Sequence, residues 1–154
     1  MIRKAQTTMI LILMVLLCNA QPINRQFVGV KDSLGTVVIA VSDGYYTLVP
    51  FNDKLVQTTF HPKGILEKNF SFAVSMVPQK PVLNITQSDA SASIQVGKGL
   101  KVIITKSPFN IAYFYHDTLL ISERSGYHHT DSTKAMSLSI EPNEVLYGGG
   151  ERAL

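Results

Sequence analysis

The sequence predicts an all-β protein, a two-layer antiparallel β-sandwich, and three observations carry that prediction. Segments rich in β-branched and aromatic residues follow one another from Phe27 onward, and turn-forming residues separate them. Beyond Phe27 no stretch keeps a 3.6-residue apolar period long enough for a helix. Roughly ten short strands joined by tight turns within one domain bury their apolar faces best as two stacked sheets.

Thr36 to Ser42 is β-branched and meets Tyr45 to Val49 across Asp43-Gly44, a dipeptide that supplies the positive φ angles of a tight hairpin. Asn52-Asp53 turns the chain into Leu55 to Phe60, which Pro62-Lys63-Gly64 closes. Phe70 to Val77 reads as the next strand. Pro78 and Pro81 interrupt it, since neither donates to a ladder, and Val82 to Thr86 then forms a short strand near an edge. Ser91 to Val96 and Leu100 to Lys106 flank the hairpin tripeptide Gly97-Lys98-Gly99, and Ile94 and Val96 alternate with polar neighbours as a strand with one wet face does. Phe109 to Tyr115 and Leu119 to Ser122 pair across His116-Asp117-Thr118, and Met136, Leu138 and Ile140 form one more alternating strand. Val145 to Tyr147 is a short strand leading into Gly148, Gly149 and Gly150, whose backbones reach angles a side chain forbids.

At 154 residues, 45% apolar and 16% charged, the chain has the balance of a folded domain with a sizeable core. Its first residues follow a different grammar. Arg3 and Lys4 precede an apolar run from Met9 to Leu17, and Cys18-Asn19-Ala20 then leads into Gln21-Pro22, the zones of a secretory signal in order. The run is about half the ~20 apolar residues of a spanning helix. We expect a signal peptide over 1–20 cleaved after Ala20, a secreted or periplasmic protein, and no membrane association after cleavage. Acylation at Cys18 is the competing reading, disfavoured by the bulky Leu17. Cleavage after Ala20 leaves no cysteine and hence no disulfide framework. Losing Arg3 and Lys4 lowers the 14 basic residues to 12 against 11 acidic ones, and the net charge from +3 to +1. With no basic run, nothing suggests a nucleic-acid partner.

Several constellations have plainer explanations than chemistry. Gly148-x-Gly150-x-x-Ala153 has the spacing of a dinucleotide fingerprint but lacks the βαβ context and the acidic ribose partner, so no cofactor is expected. His128, His129 and Asp131 have metal-ligating side chains, yet adjacent strand residues point to opposite faces; a polar surface loop is the preferred reading and no metal site is expected. His61 and His116 lie beside turns as exposed imidazoles. No Gly-x-Ser-x-Gly elbow occurs, and Glu141, Glu144 and Glu151 read as solvated turn residues, so no catalytic residue is expected. Asn69-Phe70-Ser71 and Asn84-Ile85-Thr86 are glycosylation sequons, expected to be bare behind a signal of bacterial look. Tyr45, Tyr113 and Tyr127 are candidate sugar contacts through ring stacking, although a strand facing two ways buries one side of the Tyr113-Phe114-Tyr115 cluster.

The segment Asn143-Glu144-Val145-Leu146-Tyr147-Gly148-Gly149-Gly150-Glu151-Arg152 resembles a signature of glycoside hydrolase family 31, the α-glucosidases and α-xylosidases: an acidic residue, an aromatic, then Gly-x-Gly-Glu-Arg. Asp43-Gly44-Tyr45-Tyr46-Thr47, the run from Lys54 to Gly64 and the strand, proline-aromatic break and strand from Leu100 to Ile111 are similar to the same family. The resemblance spans Leu34 to Leu154. Gly149 stands where the family often has a larger apolar residue, and His116-Asp117-Thr118 lacks the usual turn glycine.

The resemblance implies that residues 21–140 form an N-terminal, galactose-mutarotase-like sandwich, with Tyr147, Gly148, Gly150, Glu151 and Arg152 as structural signature residues. It implies that 141–154 begin the connection to a (β/α)8 catalytic barrel which supplies both aspartates of a retaining mechanism. The expectation is therefore a non-catalytic domain of a secreted α-glycosidase, shaping the substrate entrance. Its partners would be that intramolecular barrel and, through the parent enzyme, an α-linked oligosaccharide. A stand-alone carbohydrate-binding module is the alternative, weakened by the absence of Trp. A sheet face meant for the barrel should carry an apolar patch that makes the isolated domain aggregate.

Overall fold

In the computed structural model the structure describes residues 25–65, 76–129 and 133–140. The expected signal peptide over 1–20, residues 70–75 of the expected strand, the sequon at Asn69, Asp131 and the glycine-rich signature lie outside the described residues.

The described residues build two sheets. Strands β1 (Phe27–Ser33), β2 (Thr36–Val41), β3 (Gly44–Pro50) and β4 (Val56–Pro62) form one, in the order β1-β2-β3-β4. Strands β5 (Leu83–Gln87), β6 (Ser91–Val96), β7 (Leu100–Lys106), β8 (Phe109–Tyr115), β9 (Thr118–His129) and β10 (Lys134–Ser139) form the other, in the order β10-β9-β8-β7-β6-β5. Every neighbour is antiparallel and follows its predecessor in sequence, so each sheet is a meander of hairpins. No helix among the described residues is long and apolar enough to cross a membrane.

Strand alternation places the core between the sheets. In β2 and β6 every second side chain is buried: Val37, Ile39 and Val41 from the first sheet, Ala92, Ile94 and Val96 from the second. Tyr46, Leu48 and Phe60 complete the inner face of the four-stranded sheet, and Leu100, Val102, Ile104 and Ile111 that of the six-stranded one. Each fully buried aliphatic chain contributes about 1.5–3 kcal/mol relative to exposure, so these two facing rows carry the fold. Aromatic rings fill one end: Tyr46 packs on Phe60 at 4.8 Å and on Phe109 at 5.8 Å, and Phe60 packs on Tyr127 at 5.0 Å.

The turns follow the sequence with three differences. The β2–β3 hairpin turns at Ser42-Asp43, because Val41 pairs with Gly44 and Gly44 already opens β3. Glycine is required there by close approach: a Cβ on Gly44 would stand 2.2 Å from the His61 carbonyl oxygen. Leu34-Gly35 closes a β1–β2 hairpin, with φ of 55° and 85°, that the sequence did not single out. β9 runs on to His129, well past the expected end at Ser122, with a bulge where Ser137 pairs with Gly126 but Leu138 pairs with Glu123. Gly97-Lys98-Gly99 joins β6 to β7 as predicted, and β5 is an edge strand as predicted. His116 and Asp117 turn β8 into β9 without glycine, both in left-handed backbone at φ 46° and 62°. Ser107-Pro108, a cis peptide, joins β7 to β8.

Between β4 and β5 in sequence, the chain from Met76 to Val82 lies outside any strand, as Pro78 and Pro81 demand, and Lys80 passes through left-handed backbone at φ 48°. It is held at its middle and at its C-terminal end: the Gln79 amide donates to the Phe51 carbonyl and the Gly97 amide to the Val82 carbonyl, each at 2.9 Å.

Candidate functional site

Alternation along β3 decides the fate of its tyrosines. Tyr46 points into the core and is fully buried, so Tyr45 points to the opposite, outer face and stays 43% exposed. Its cross-strand partner is His61 on β4, and the two rings stack with centroids 4.5 Å apart and planes 12° from parallel. His61 was expected to be an exposed turn imidazole; it is a buried strand residue whose Nε2 lies 3.0 Å from Thr47 Oγ1. The pair therefore forms a rigid platform, since a two-torsion ring braced on one side loses little freedom on binding. Beside it opens a groove of about 520 Å3 lined by Ser42, Gly44, Tyr45, Lys63 and Gly64.

The other two tyrosines face inward. Tyr113 on β8 packs against the core, and its hydroxyl hydrogen-bonds Thr58 of β4 at 2.8 Å, joining the sheets. Burial pushes its hydroxyl up to about 12 against the opposing effect of the Thr58 hydrogen bond, so it stays a neutral phenol. Tyr127 on β9 is half-buried against Phe60. Tyr45 is thus separated from both by the thickness of a sheet. Tyr113 instead borders a second groove, about 310 Å3, where the β4 edge meets the inner face of β8–β10. Leu55, Val56, Leu120, Met136 and Leu138 make that groove apolar, and Glu123 contributes its one acid.

The most organised polar cluster is one the sequence reading did not single out. Arg25 is 6% exposed and donates from Nε and Nη2 to the two carboxylate oxygens of Asp43, each at 2.8 Å. This bidentate fork is the strong geometry for the pair. Nη2 also donates to the Tyr127 carbonyl at 2.7 Å, and Nη1 donates to the Tyr46 hydroxyl. The guanidinium lies over the Phe60 ring at 4.3 Å. The Tyr46 hydroxyl donates in turn to Glu123 Oε2 at 3.2 Å, and the Asn110 amide donates to the Glu123 carbonyl. Gly126, at φ 66°, lets the three chains converge: a Cβ there would stand 2.7 Å from Glu123 Oε2, 2.8 Å from Arg25 Nη1 and 2.9 Å from the Tyr46 hydroxyl. Burial raises the Glu123 carboxyl to about 7, against the hydrogen bond from Tyr46 and the nearby Arg25 charge, which lower it. Burial and the Glu123 charge likewise raise the Tyr46 phenol, so it is a permanent donor. Chemically this is a fastening between the N-terminal segment, β3 and β9, with both carboxyl groups already engaged.

Among the described residues no group of three His, Cys, Asp or Glu side chains is placed to hold a metal ion. His128 lies within β9, and Asp131, its expected co-ligand, is outside the described residues. His116 sits in its turn with its ring edge-on to Tyr115 at 4.2 Å. Asn84 is exposed on the edge strand β5. The signature residues Tyr147, Gly148, Gly150, Glu151 and Arg152 lie outside the described residues.

A family model described as the glycosyl hydrolase 31 N-terminal galactose mutarotase-like domain matches residues 45–154. That span covers most of the chain, from the second residue of β3 onward. Comparison with curated proteins returns no match.

Proposed function

The chain belongs to the glycosyl hydrolase 31 N-terminal galactose mutarotase-like domain family, and from that premise we propose that it is the non-catalytic N-terminal domain of a secreted α-glycosidase. In this reading it packs against a catalytic barrel and shapes the entrance through which an α-glucoside or α-xyloside reaches it. The observation that carries the proposal, beyond family membership, is the uncovered apolar surface beside the β4 edge. Among the described residues the six-stranded sheet is wider than its partner, and Leu120, Met136 and Leu138 are 51%, 43% and 41% exposed around the 310 Å3 groove. Contiguous apolar surface of this kind marks an interaction face. Both carboxyl groups of the buried cluster are held by a guanidinium and a phenol, which suits a scaffold. A glycosidase site instead needs two carboxyls about 5–10 Å apart across an open cleft.

The test is glycosidase activity on aryl α-glucosides and aryl α-xylosides. We expect none from the chain alone and activity from a protein in which it is joined to a barrel; turnover by the 154-residue chain overturns the assignment.

A second reading, a stand-alone carbohydrate-binding module, draws on the Tyr45–His61 platform and its adjacent groove. It predicts saturable heat of binding with maltooligosaccharides or xyloglucan fragments that Tyr45→Ala abolishes. The entrance reading predicts no binding by the chain alone. It expects Tyr45→Ala in the whole enzyme to raise KM while leaving kcat unchanged, the pattern of lost uniform binding.

A further inference from the structure

We propose that the cluster of Arg25, Asp43, Tyr46 and Glu123 is a proton-gated clasp, one guanidinium set between two carboxyl groups, which fastens the N-terminal segment across both sheets and loosens when Glu123 ionises. The argument begins with valence. Arg25 spends Nε and Nη2 on Asp43, Nη2 again on the Tyr127 carbonyl, and Nη1 on Tyr46. Asp43 thus owns the cation, while Glu123, only 3% exposed, receives a phenol and no ion pair of its own. With Glu123 neutral the cluster holds one positive and one negative charge. With Glu123 ionised it holds a second negative charge in a region of low dielectric, a costly state unless the guanidinium is drawn away from Asp43 or water enters.

The surroundings leave little relief. The groups facing Glu123 are Arg25 from the N-terminal segment, Asp43 beyond it in the β2–β3 turn, Tyr46 from β3, Tyr113 from β8 and Tyr127 along β9. Lys54 lines the same apolar groove as Glu123 and makes no ion pair with it. Gly126 holds the three chains so close that Glu123 cannot swing past Arg25 without displacing it. Burial accordingly moves the Glu123 carboxyl up to about 7, which places the transition near neutrality.

The sign follows from linkage. The folded carboxyl titrates above its unfolded counterpart, so its contribution to stability is fully present below the ordinary carboxylate range, near 4.5, and is lost as pH rises through about 7. The N-terminal segment bears that loss first, because Arg25 is its anchor into the core.

The experiment is hydrogen exchange of residues 25–33 on the 154-residue chain at about pH 5 and about pH 8, corrected for intrinsic exchange. The expected result is several-fold lower protection of this segment at the higher pH, with β6 and β7 unchanged, and no such difference in Glu123→Gln. Equal protection at both pH values in the wild type, or an undiminished difference in Glu123→Gln, overturns the proposal. Should Glu123→Gln fail to fold, carbon NMR of the wild-type glutamate carboxyls decides. A buried carboxyl titrating near neutrality supports the clasp, and every glutamate titrating in the ordinary range removes it.

Discussion

Arg25 and Glu123 show what a single residue contributes when long-range pairing decides its environment. In the sequence each is a charged residue among polar neighbours, which reads as surface. Their burial comes from partners 18 and 77 residues away along the chain, Asp43 for the guanidinium and, for Glu123, Tyr46, and no local pattern encodes that. Tyr45 was legible because strand alternation alone assigns it to the face opposite Tyr46; the same rule was bound to bury part of the Tyr113 cluster. His61 was misjudged as a turn residue because β4 extends to Pro62, so its ring sits in a ladder against Tyr45 instead of in solvent. Arg25→Met should be costly, since it leaves Asp43 and the Tyr46 hydroxyl without their cation at the core margin. Breaking a buried pair from one side costs about 3–5 kcal/mol. With Asp43 38% exposed and able to rehydrate, the lower end, about 3 kcal/mol, is expected from urea unfolding. Asp43→Asn, which keeps one acceptor for the fork, should cost less.

Elements were readable wherever turn chemistry and alternation agreed. The Gly97 hairpin and the paired rows of β6 and β7 follow directly from glycines flanking alternating apolar residues. The β2–β3 hairpin was right in its strands but one residue off in its turn, because Asp43-Gly44 is the usual left-handed dipeptide and here glycine makes room for a carbonyl of the neighbouring strand β4 instead. Gly44→Ala therefore tests packing and not φ. A Cβ 2.2 Å from backbone oxygen cannot be relieved by a side-chain rotation, so the expected loss is about 3 kcal/mol, the upper end of the overpacking range, with β3 and β4 losing amide protection together. The β8–β9 turn predicts the opposite sign. His116 and Asp117 occupy left-handed backbone at a cost of about 1–2 kcal/mol per residue for ordinary side chains, less for Asp. What they return is small: the Lys101–Asp117 pair at 2.6 Å has an 83% exposed carboxylate, where water and salt screen the attraction. Replacing the two by Asn-Gly should raise stability by about 1 kcal/mol, visible as a higher melting temperature with no change in fold.

At the scale of the molecule, the governing fact is the mismatch, among the described residues, between a sheet of four strands and a sheet of six. The sequence announced two stacked sheets and their apolar faces, but strand counts per sheet depend on where the chain crosses between layers, which composition does not encode. The extra strands carry the inner face beyond its cover: Met136 pairs with Tyr127 and Leu138 with Glu123, so both lie on the same face as the core residues of β9, yet both are more than 40% exposed. This surface should drive self-association of the 154-residue chain, seen by sedimentation as a concentration-dependent shift to larger species. Leu138→Glu and Met136→Lys, which cancel in charge, should each change stability by no more than about 0.5 kcal/mol, as expected for exposed positions, while shifting the chain to monomer. A chain that stays monomeric without them would leave the patch without a partner and weaken the case for a domain interface. In a protein carrying the barrel, the same two substitutions should loosen the union of the domains and lower its melting temperature. That pairing of a gain for the isolated sandwich with a loss for the whole enzyme separates an interface from an accidental patch, because an accidental patch would give the gain alone.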